Sequence, residues 1–249
     1  MPALAAAVAL GLAGCSTPGP AHLYLYSPAA GERTLRDVDP VHGSELAQIP
    51  AFNEPGEYLL GIAYDPFTDH LFLRLFPGNQ VRVIDRPAAA IKRTFIAPEL
   101  PLGGHDLTIR SRDRHLFFTD PTSPALVETD LRGEFVRRIA LDGLSGPVHG
   151  VAHDARADEL LVLPDDPSGR LLRYTLDGKL IAETRLERTV EGYSLAYDSV
   201  ERTAFASLAD GSAIAVFDAE GRLLRRLARP AAEREVFIDI GARSLLRMF

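Results

Sequence analysis

Short apolar runs separated by Gly, Pro and Asp make up most of the chain after its first twenty residues. The runs are four to six residues long, and each is either continuously apolar or alternates apolar with polar positions. This length, period and punctuation are typical of β-strands, whereas a helix needs a longer segment with a period near 3.6 residues. The pattern therefore predicts an all-β protein.

One five-residue segment recurs along the chain at nearly constant spacing. Its copies occupy residues 61–65, 106–110, 150–154 and 194–198, with a weaker copy at 237–241. The first residues of successive copies are 45, 44, 44 and 43 positions apart. Each of the first four copies is followed by three further short runs, which gives four strands in every unit of about 44 residues. Repeats of this size and content are typical of the blades of a β-propeller.

Glycines at equivalent places mark the predicted hairpins between the third and fourth strand of a unit. These are Gly133, Gly178 and Gly221. Glycine adopts the positive φ that such tight turns need.

The two ends of the repeat region are predicted to complete one blade between them. Residues 22–36 match the third and fourth strands of a unit, with Gly31 in the hairpin, and residues 236–249 match the first and second strands. Pairing them would remove the open sheet edges that promote aggregation. Four whole blades and one composite blade make five. A sixth blade remains an alternative if residues 37–58 contain further strands.

The N-terminal segment carries a separate signal. Residues 4–13 form an uncharged apolar run too short to span a bilayer. The sequence Leu12-Ala13-Gly14-Cys15 at its end resembles the lipobox of bacterial lipoproteins. The resemblance implies a signal peptide over 1–14, lipidation of Cys15, a tether over 15–21 and a single propeller domain over 22–249. Ser16 after the cysteine fits lipoproteins of the outer membrane that face the periplasm.

Two features of this segment leave alternatives open. No Lys or Arg precedes the apolar run, which departs from the lipoprotein pattern and would follow from a start codon assigned too late. An ordinary cleaved signal peptide, or an alanine-rich first helix with an incidental cysteine, would also fit.

Composition narrows the class of partner. The net charge is −7 and no run of Lys and Arg stands out, so a nucleic-acid binder that tracks phosphates is not expected. The single cysteine excludes an intramolecular disulfide.

Candidate binding residues follow from propeller geometry. The loops that enter each first strand, and those that join strands two and three, share the face around the mouth of the central channel. This places His105, His149 and Tyr193 there, one position before successive repeat starts. The companion loops add Arg74, Asp120, Asp165, Asp166 and Asp210. Neutral imidazoles with carboxylates can hold a transition metal or move protons. The alternative is that these are turn residues inherited from the repeat.

The strand pattern of small, apolar, Ala, aromatic and Asp over residues 61–241 resembles that of NHL-repeat and gluconolactonase-like propellers. Gluconolactonase-like members hold a divalent cation with Glu, Asn and Asp side chains. Here the strand starts carry His and Tyr, and the only asparagines are Asn53 and Asn79, so that metal site does not carry over.

The NHL resemblance implies a module that binds or scaffolds a small ligand or an envelope protein, with no cofactor. No nucleophile elbow, zinc-protease or P-loop motif is present. The alternative is a metal-assisted hydrolase or lactonase that uses the His and Asp residues of the channel mouth with a divalent metal.

Overall fold

The computed structural model describes residues 19–26, 34–166, 168–229 and 236–243, and all the regular structure in these ranges is β. In chain order the strands are β1 (Ala21–Tyr26), β2 (Thr34–Val38), β3 (Glu45–Pro50), β4 (Tyr58–Asp65), β5 (His70–Phe76), β6 (Gln80–Asp85), β7 (Ala90–Ile96), β8 (Leu107–Arg110), β9 (His115–Thr119), β10 (Ala125–Asp130), β11 (Phe135–Ala140), β12 (Val148–Asp154), β13 (Glu159–Pro164), β14 (Arg170–Tyr174), β15 (Leu180–Arg185), β16 (Ala196–Asp198), β17 (Thr203–Ser207), β18 (Ala213–Phe217), β19 (Leu223–Ala228) and β20 (Phe237–Ala242). Within these ranges we find no helix with the length and hydropathy of a membrane span.

The strands form five antiparallel four-stranded sheets, which are the blades of a β-propeller. Blade 1 has the order β20-β1-β2-β3, and blades 2 to 5 are β4–β7, β8–β11, β12–β15 and β16–β19. The predicted all-β propeller with five blades is thereby confirmed.

Closure of the ring differs in detail from the prediction. β20 pairs with β1 from Ala21 opposite Ala242 to Tyr26 opposite Phe237. Blade 1 therefore takes its first strand from the C-terminal side and its other three from the N-terminal side. The assignment of 22–36 to strands three and four is wrong, since these residues contribute strands two and three.

The fourth strand of blade 1 is β3, which lies inside the segment 37–58 that had left a sixth blade open. Its sequence, ELAQIP, has five exposed positions out of six. An outer strand with so little apolar surface carries no strong strand pattern, which explains why the sequence did not reveal it. Gly31, Cys15 and the predicted signal peptide lie outside the described residues.

The apolar core lies between blades. Five clusters of buried side chains are found among the described residues, one at each of the five interfaces between neighbouring blades. The cluster between blades 5 and 1 includes Ile238 and Ile240 of β20 and Leu23 and Leu25 of β1. Each blade thus buries both faces, and the ring is stable only when it is closed.

The outer hairpins press against the neighbouring blade, and glycine is what permits this. Gly178 has φ of 81°, and a Cβ there would collide with the carbonyl oxygen of Ala140 in the preceding blade. Gly221 and Gly133 have φ of 81° and 88° and equally close neighbours. The three predicted turn glycines therefore serve both the turn and the packing of adjacent blades.

Strand direction defines two faces of the ring. Loops that join strands two and three, and loops that lead into the next blade, lie on what we name the upper face. The hairpins between strands one and two, and between strands three and four, lie on the lower face. The chain enters β1 from the lower face, where the backbone N–H of Gly19 donates to the carbonyl oxygen of Arg243 at 3.0 Å.

Candidate functional site

Three rings from consecutive blades meet where the central channel opens on the upper face. The ring centroids of His105 and His149 are 4.4 Å apart, and each lies near Tyr193, at 5.1 Å and 5.6 Å. His149 and Tyr193 are nearly parallel, with an interplanar angle of 10°. All three residues are partly exposed. We name this cluster of His105, His149 and Tyr193 the channel mouth.

The repeat explains why these rings meet. His105 and Tyr193 precede the inner strands β8 and β16, and His149 is the second residue of β12. The hydroxyl of Thr119 fixes the turn before β8, because it accepts hydrogen bonds from the backbone N–H groups of His105 at 3.1 Å and Asp106 at 3.0 Å. Equivalent positions of adjacent blades converge on the channel axis, so three aromatic rings at this position become neighbours.

Arg74 lies below the channel mouth and is fully buried. Its two terminal nitrogens donate to the carbonyl oxygens of Thr119, at 3.2 Å, and Pro101, at 3.1 Å. The guanidinium also lies 5.5 Å from the ring centroid of Phe118. A Cβ at position 104 would collide with it, so Gly104 makes room for the arginine. Arg74 thus buries a positive charge between blades 2 and 3, close enough to act on His105, and it forms no salt bridge among the described residues.

Burial keeps the histidines of the channel mouth neutral. It lowers the pKa of His105 to about 4, and the neighbouring His149 and Arg74 act in the same direction. Burial also lowers the pKa of His149, against the carboxylate of Asp165, which lies 3.4 Å from its Nδ1. The Nδ1 atom of His105 is buried and makes no hydrogen bond with the described residues. The channel mouth therefore presents uncharged imidazoles above a buried cation.

Asp106 ties three blades together below the rings. One carboxylate oxygen accepts from the backbone N–H groups of Val151 and Leu195, each at 3.1 Å. The other accepts from the hydroxyl of Ser194 at 3.3 Å. The side chain is fully buried, and burial raises its pKa well above the ordinary value. Asp106 holds the strands that carry His149 and Tyr193 against the strand that follows His105.

A second buried acid lies further along the channel. Asp239 of β20 accepts a hydrogen bond from the backbone N–H of Tyr64. Burial raises its pKa to about 7. It lines a cavity of about 190 Å³ that opens toward the lower face. β20 therefore closes the ring through a side-chain tie to β4 as well as through its pairing with β1.

The remaining sequence candidates have local roles in their own loops. Asp120 is fully buried and accepts from the N–H of Thr122 and the hydroxyl of Ser123, and it also pairs with Arg138. Asp166 accepts from the N–H of Ser168 and pairs with Arg170 at 2.6 Å. Asp210 accepts from the N–H of Ser212. These contacts are those of turn-capping carboxylates. Of the predicted carboxylates, Asp165 is the one that contacts a ring of the channel mouth.

The channel mouth does not form a compact set of metal ligands. Among the described residues, the one group of three ligating side chains with all ligand atoms within 4.8 Å of one another is Asp113, His115 and Glu128. That group lies toward the lower face. Arg110 pairs with Asp113 and Arg137 with Glu128, so cations of the protein already neutralise both carboxylates. Arg74 below the channel mouth further disfavours a divalent cation there.

Asp106 and Asp239 were not among the sequence candidates. A signal existed for Asp106, since three of the four other copies have a small residue at its position, Gly61, Gly150 or Ser194, and the weaker fifth copy has Phe237. A carboxyl group at an inner-strand position where most repeats have a small residue indicates a side chain that reaches across to other blades. Asp239 replaces an Ala or Thr of the other repeats in the same way.

Comparisons with known proteins support the fold. No protein-family model matches the chain, and the search of curated proteins found no match. Among solved structures, a chain of a nidogen/laminin complex is similar with a TM-score of 0.62 and 12% identity, over 88% of this chain and 98% of that one. A Bacteroides caccae protein of unknown function has a TM-score of 0.51 and 16% identity, over 84% and 73%. A streptogramin B lyase has a TM-score of 0.48 and 13% identity, over 84% and 60%. At these identities the similarity extends to the propeller fold alone.

Proposed function

We propose that the protein is a binding module that recognises a planar group of a small ligand or of a protein partner at the channel mouth. The supporting observation is the cluster of His105, His149 and Tyr193, with a buried imidazole nitrogen that has no hydrogen-bond partner. An unpaired buried polar atom costs about 1–3 kcal/mol, and a ligand that hydrogen-bonds to this nitrogen would recover that cost. Positions that break a local rule in this way are candidates for function.

The electrostatics of the channel mouth favour one class of ligand. Desolvation opposes charge on both imidazoles, and the buried guanidinium of Arg74 repels a cation. Rings in offset and parallel arrangements contribute by stacking on a planar group. We therefore expect uncharged or anionic planar groups, such as aromatic amides or carboxylates, to bind more tightly than cationic ones of the same shape.

Three probes of nearly equal size test this preference. Nicotinamide is neutral, nicotinate is anionic and 1-methylnicotinamide, which is methylated on the pyridine nitrogen, is cationic. Binding is followed through the imidazole signals of His105 and His149 in NMR spectra at pH 7. We expect weak, millimolar-range binding of the first two probes, as is usual for fragments, and at least about tenfold weaker binding of the cation. Tyr193→Ala should abolish the shifts. The matched control is Tyr58→Ala, which removes an exposed ring from β4.

Equal binding of the three probes, or unchanged binding by Tyr193→Ala, would contradict the proposal. A protein partner is tested in the same way, by comparing its affinity for the wild type and for His105→Ala/His149→Ala. A partner that binds both equally does not use the channel mouth.

A metal titration distinguishes the binding module from the alternative function, a metal-assisted hydrolase. The binding proposal expects that Zn²⁺ produces no saturable change in the His105 and His149 signals at stoichiometric concentration. Saturable binding that is lost in His105→Ala/His149→Ala would favour the hydrolase instead.

We also propose that Cys15 anchors the protein to the cell envelope through an attached lipid, with the propeller in the periplasm. The lipobox-like sequence supports this, and so does the position of Gly19 at the lower face. Gly19 is four positions after Cys15, so at about 3.5 Å per residue an extended chain would span at most roughly 14 Å between them. The lower face would then lie near the membrane and the channel mouth would point away from it.

Mass spectrometry of the N-terminal peptide tests the anchor. We expect an acylated Cys15 at the new N-terminus, and release of the Cys15→Ser variant from the membrane fraction. An unmodified Cys15 in membrane-bound protein would contradict it.

A further inference from the structure

A groove of about 780 Å³ opens on the lower face between blades 2 and 3. Its apolar floor includes Phe72, Val83 and Leu131, which are buried. The exposed ring of Phe67, from the turn between β4 and β5, stands at its rim with Pro87. The groove is far from the channel mouth, which lies at the other end of the ring.

The groove is basic although the protein is acidic. Four cationic side chains line it, and Asp85 is the single carboxylate among its lining residues. The cations are Lys92, Arg93, Arg114 and Arg132. The groove thus has a formal charge of +3 in a chain whose net charge is −7. Asp85 is itself engaged in its turn, since it accepts from the N–H of Ala88 at 3.1 Å. We name these four cations with Phe67 the basic groove.

The cations of the basic groove are poorly neutralised by the protein. Arg114 lies 3.9 Å from a carboxylate oxygen of Asp65, which is a long contact. Lys92 and Arg132 have no carboxylate within salt-bridge distance among the described residues. Burial lowers the pKa of Arg93, and the charges of Arg114 and Arg132 lower it further, against a smaller opposing effect of Asp130. Mutual repulsion of this kind favours an anion between the cations.

The side chains are held in place even without that anion. Arg93 donates to the carbonyl oxygen of Leu131 at 2.6 Å and lies 5.1 Å from the ring centroid of Phe95. Lys92 Nζ lies 3.2 Å from Nε2 of His70, whose Nδ1 is 2.7 Å from the hydroxyl of Thr68. Burial and the charge of Lys92 lower the pKa of His70, so a neutral imidazole accepts the lysine hydrogen bond. A pre-positioned cation costs little entropy when it binds a ligand.

We propose that the basic groove binds the phosphate group of an organic phosphate, whose organic part packs on Phe67 and Pro87. Several cations from three separate turns and strands can surround a tetrahedral phosphate, whereas a single carboxylate is satisfied by one arginine. The phosphate carries up to two negative charges as a monoester and one as the diester of a phospholipid. The phosphate could belong to a soluble phosphate ester or to the headgroup of an anionic phospholipid. The basic groove and Gly19 are on the same face, so a lipid source would fit a protein anchored through Cys15. The phosphate site itself does not depend on the anchor or on the channel mouth.

Two arms of one experiment distinguish a soluble phosphate ester from a phospholipid headgroup as the ligand. The Cys15→Ser protein is used so that no acyl chain contributes. In the first arm, glycerol 3-phosphate is titrated by calorimetry at low ionic strength. In the second, the protein is sedimented with vesicles of phosphatidylglycerol or of phosphatidylcholine. Binding in the first arm identifies soluble phosphates as ligands, and binding to phosphatidylglycerol vesicles alone identifies the lipid headgroup.

Matched variants test the assignment of residues. Lys92→Gln/Arg132→Gln removes two cations that support no described ion pair, so the fold should be retained, as thermal unfolding will show. We expect at least about tenfold weaker binding in whichever arm is positive, since each charge-assisted hydrogen bond to phosphate is strong. The control is Arg222→Gln in the equivalent hairpin of blade 5, which removes a lower-face arginine paired with Asp218 and should change affinity by less than about twofold. Absence of binding in both arms, or equal loss in the control, would overturn the proposal.

Discussion

The channel mouth and the basic groove lie on opposite faces of one propeller, and they differ in the charge of the side chains that they present. At the channel mouth, two imidazoles lie against a tyrosine and are desolvated, so that the pKa of His105 falls to about 4. In the basic groove, four cationic side chains face an open cavity with one carboxylate. Different positions of one repeat, the starts of inner strands in one case and an outer strand with lower turns in the other, have thus produced an uncharged aromatic surface and a strongly charged one.

The difference shows that burial decides what a polar side chain can do. Rings at the inner strands converge on the channel axis and lose water, so their recognition depends on shape, stacking and hydrogen bonds. Side chains on the outer strands and lower turns stay partly solvated, so their recognition depends on charge and on ionic strength. Four variants or conditions separate the two regions.

Removal of β20 should have the largest effect, because both regions are built on a closed ring. We expect a chain that ends at residue 235 to lose cooperative unfolding, since β1 would lose its pairing partner and two blade interfaces would open. Circular dichroism during thermal unfolding measures this. A peptide of residues 236–249 should restore the transition, whereas a scrambled peptide should not. A cooperative transition without the peptide would contradict the closure.

Asp106→Ala should affect the channel mouth and leave the basic groove intact. Two buried N–H groups would lose their acceptor, so we expect a loss of about 3 kcal/mol in the free energy of unfolding. Urea unfolding measures the loss, and Asp166→Ala, in a solvent-exposed turn, should cost less than about 1 kcal/mol. Probe binding at the channel mouth should weaken, whereas phosphate binding should persist. A change below about 1 kcal/mol for Asp106→Ala would contradict its role as a tie.

The pH dependence of stability should show two opposed contributions. The pKa of His105 is lower in the folded protein than in the unfolded chain, so its contribution is complete above about pH 6.5 and is lost as pH falls toward about 4. The pKa of Asp239 is raised to about 7, so its contribution is complete below about pH 4 and is lost as pH rises through about 7.

Two variants isolate these contributions. His105→Gln should reduce the loss of stability as pH falls from about 6.5 to 4, and Asp239→Asn should reduce the loss as pH rises from about 4 to 7, each by about 1–2 kcal/mol. Urea unfolding at pH 4.5, 6 and 8 measures both. If Asp239→Asn leaves the dependence of stability on pH between 4.5 and 8 unchanged, the raised pKa of this carboxyl is wrong.

Ionic strength should give the smallest and most selective effect. Raising salt from about 0.05 M to about 0.5 M should weaken phosphate binding in the basic groove several-fold, because screening shortens the reach of the four cations. Nicotinamide binding at the channel mouth should change by less than about twofold. If salt weakened binding equally at the channel mouth and in the basic groove, the two sites would not differ in their dependence on charge.

The sequence was sufficient for the architecture because the repeat is strong. Spacing of 43 to 45 residues, apolar runs and turn glycines predicted five blades, and the same alignment placed His105, His149 and Tyr193 at one end of the channel. The features that the sequence did not predict have no repeated pattern. β3 is a polar edge strand, and Asp106 and Asp239 matter through contacts with β4, β12 and β16, which no local pattern encodes. The basic groove combines side chains from two blades, and its residues are scattered between positions 67 and 132.

The titration of the His105 imidazole tests the central claim most directly. In NMR spectra recorded between pH 3.5 and 8, the account predicts that His105 stays neutral down to about pH 4, with its midpoint near that value. A midpoint near the ordinary value of about 6.5 would mean that the channel mouth is well solvated. The desolvated aromatic site, and the ligand preference inferred from it, would then be wrong.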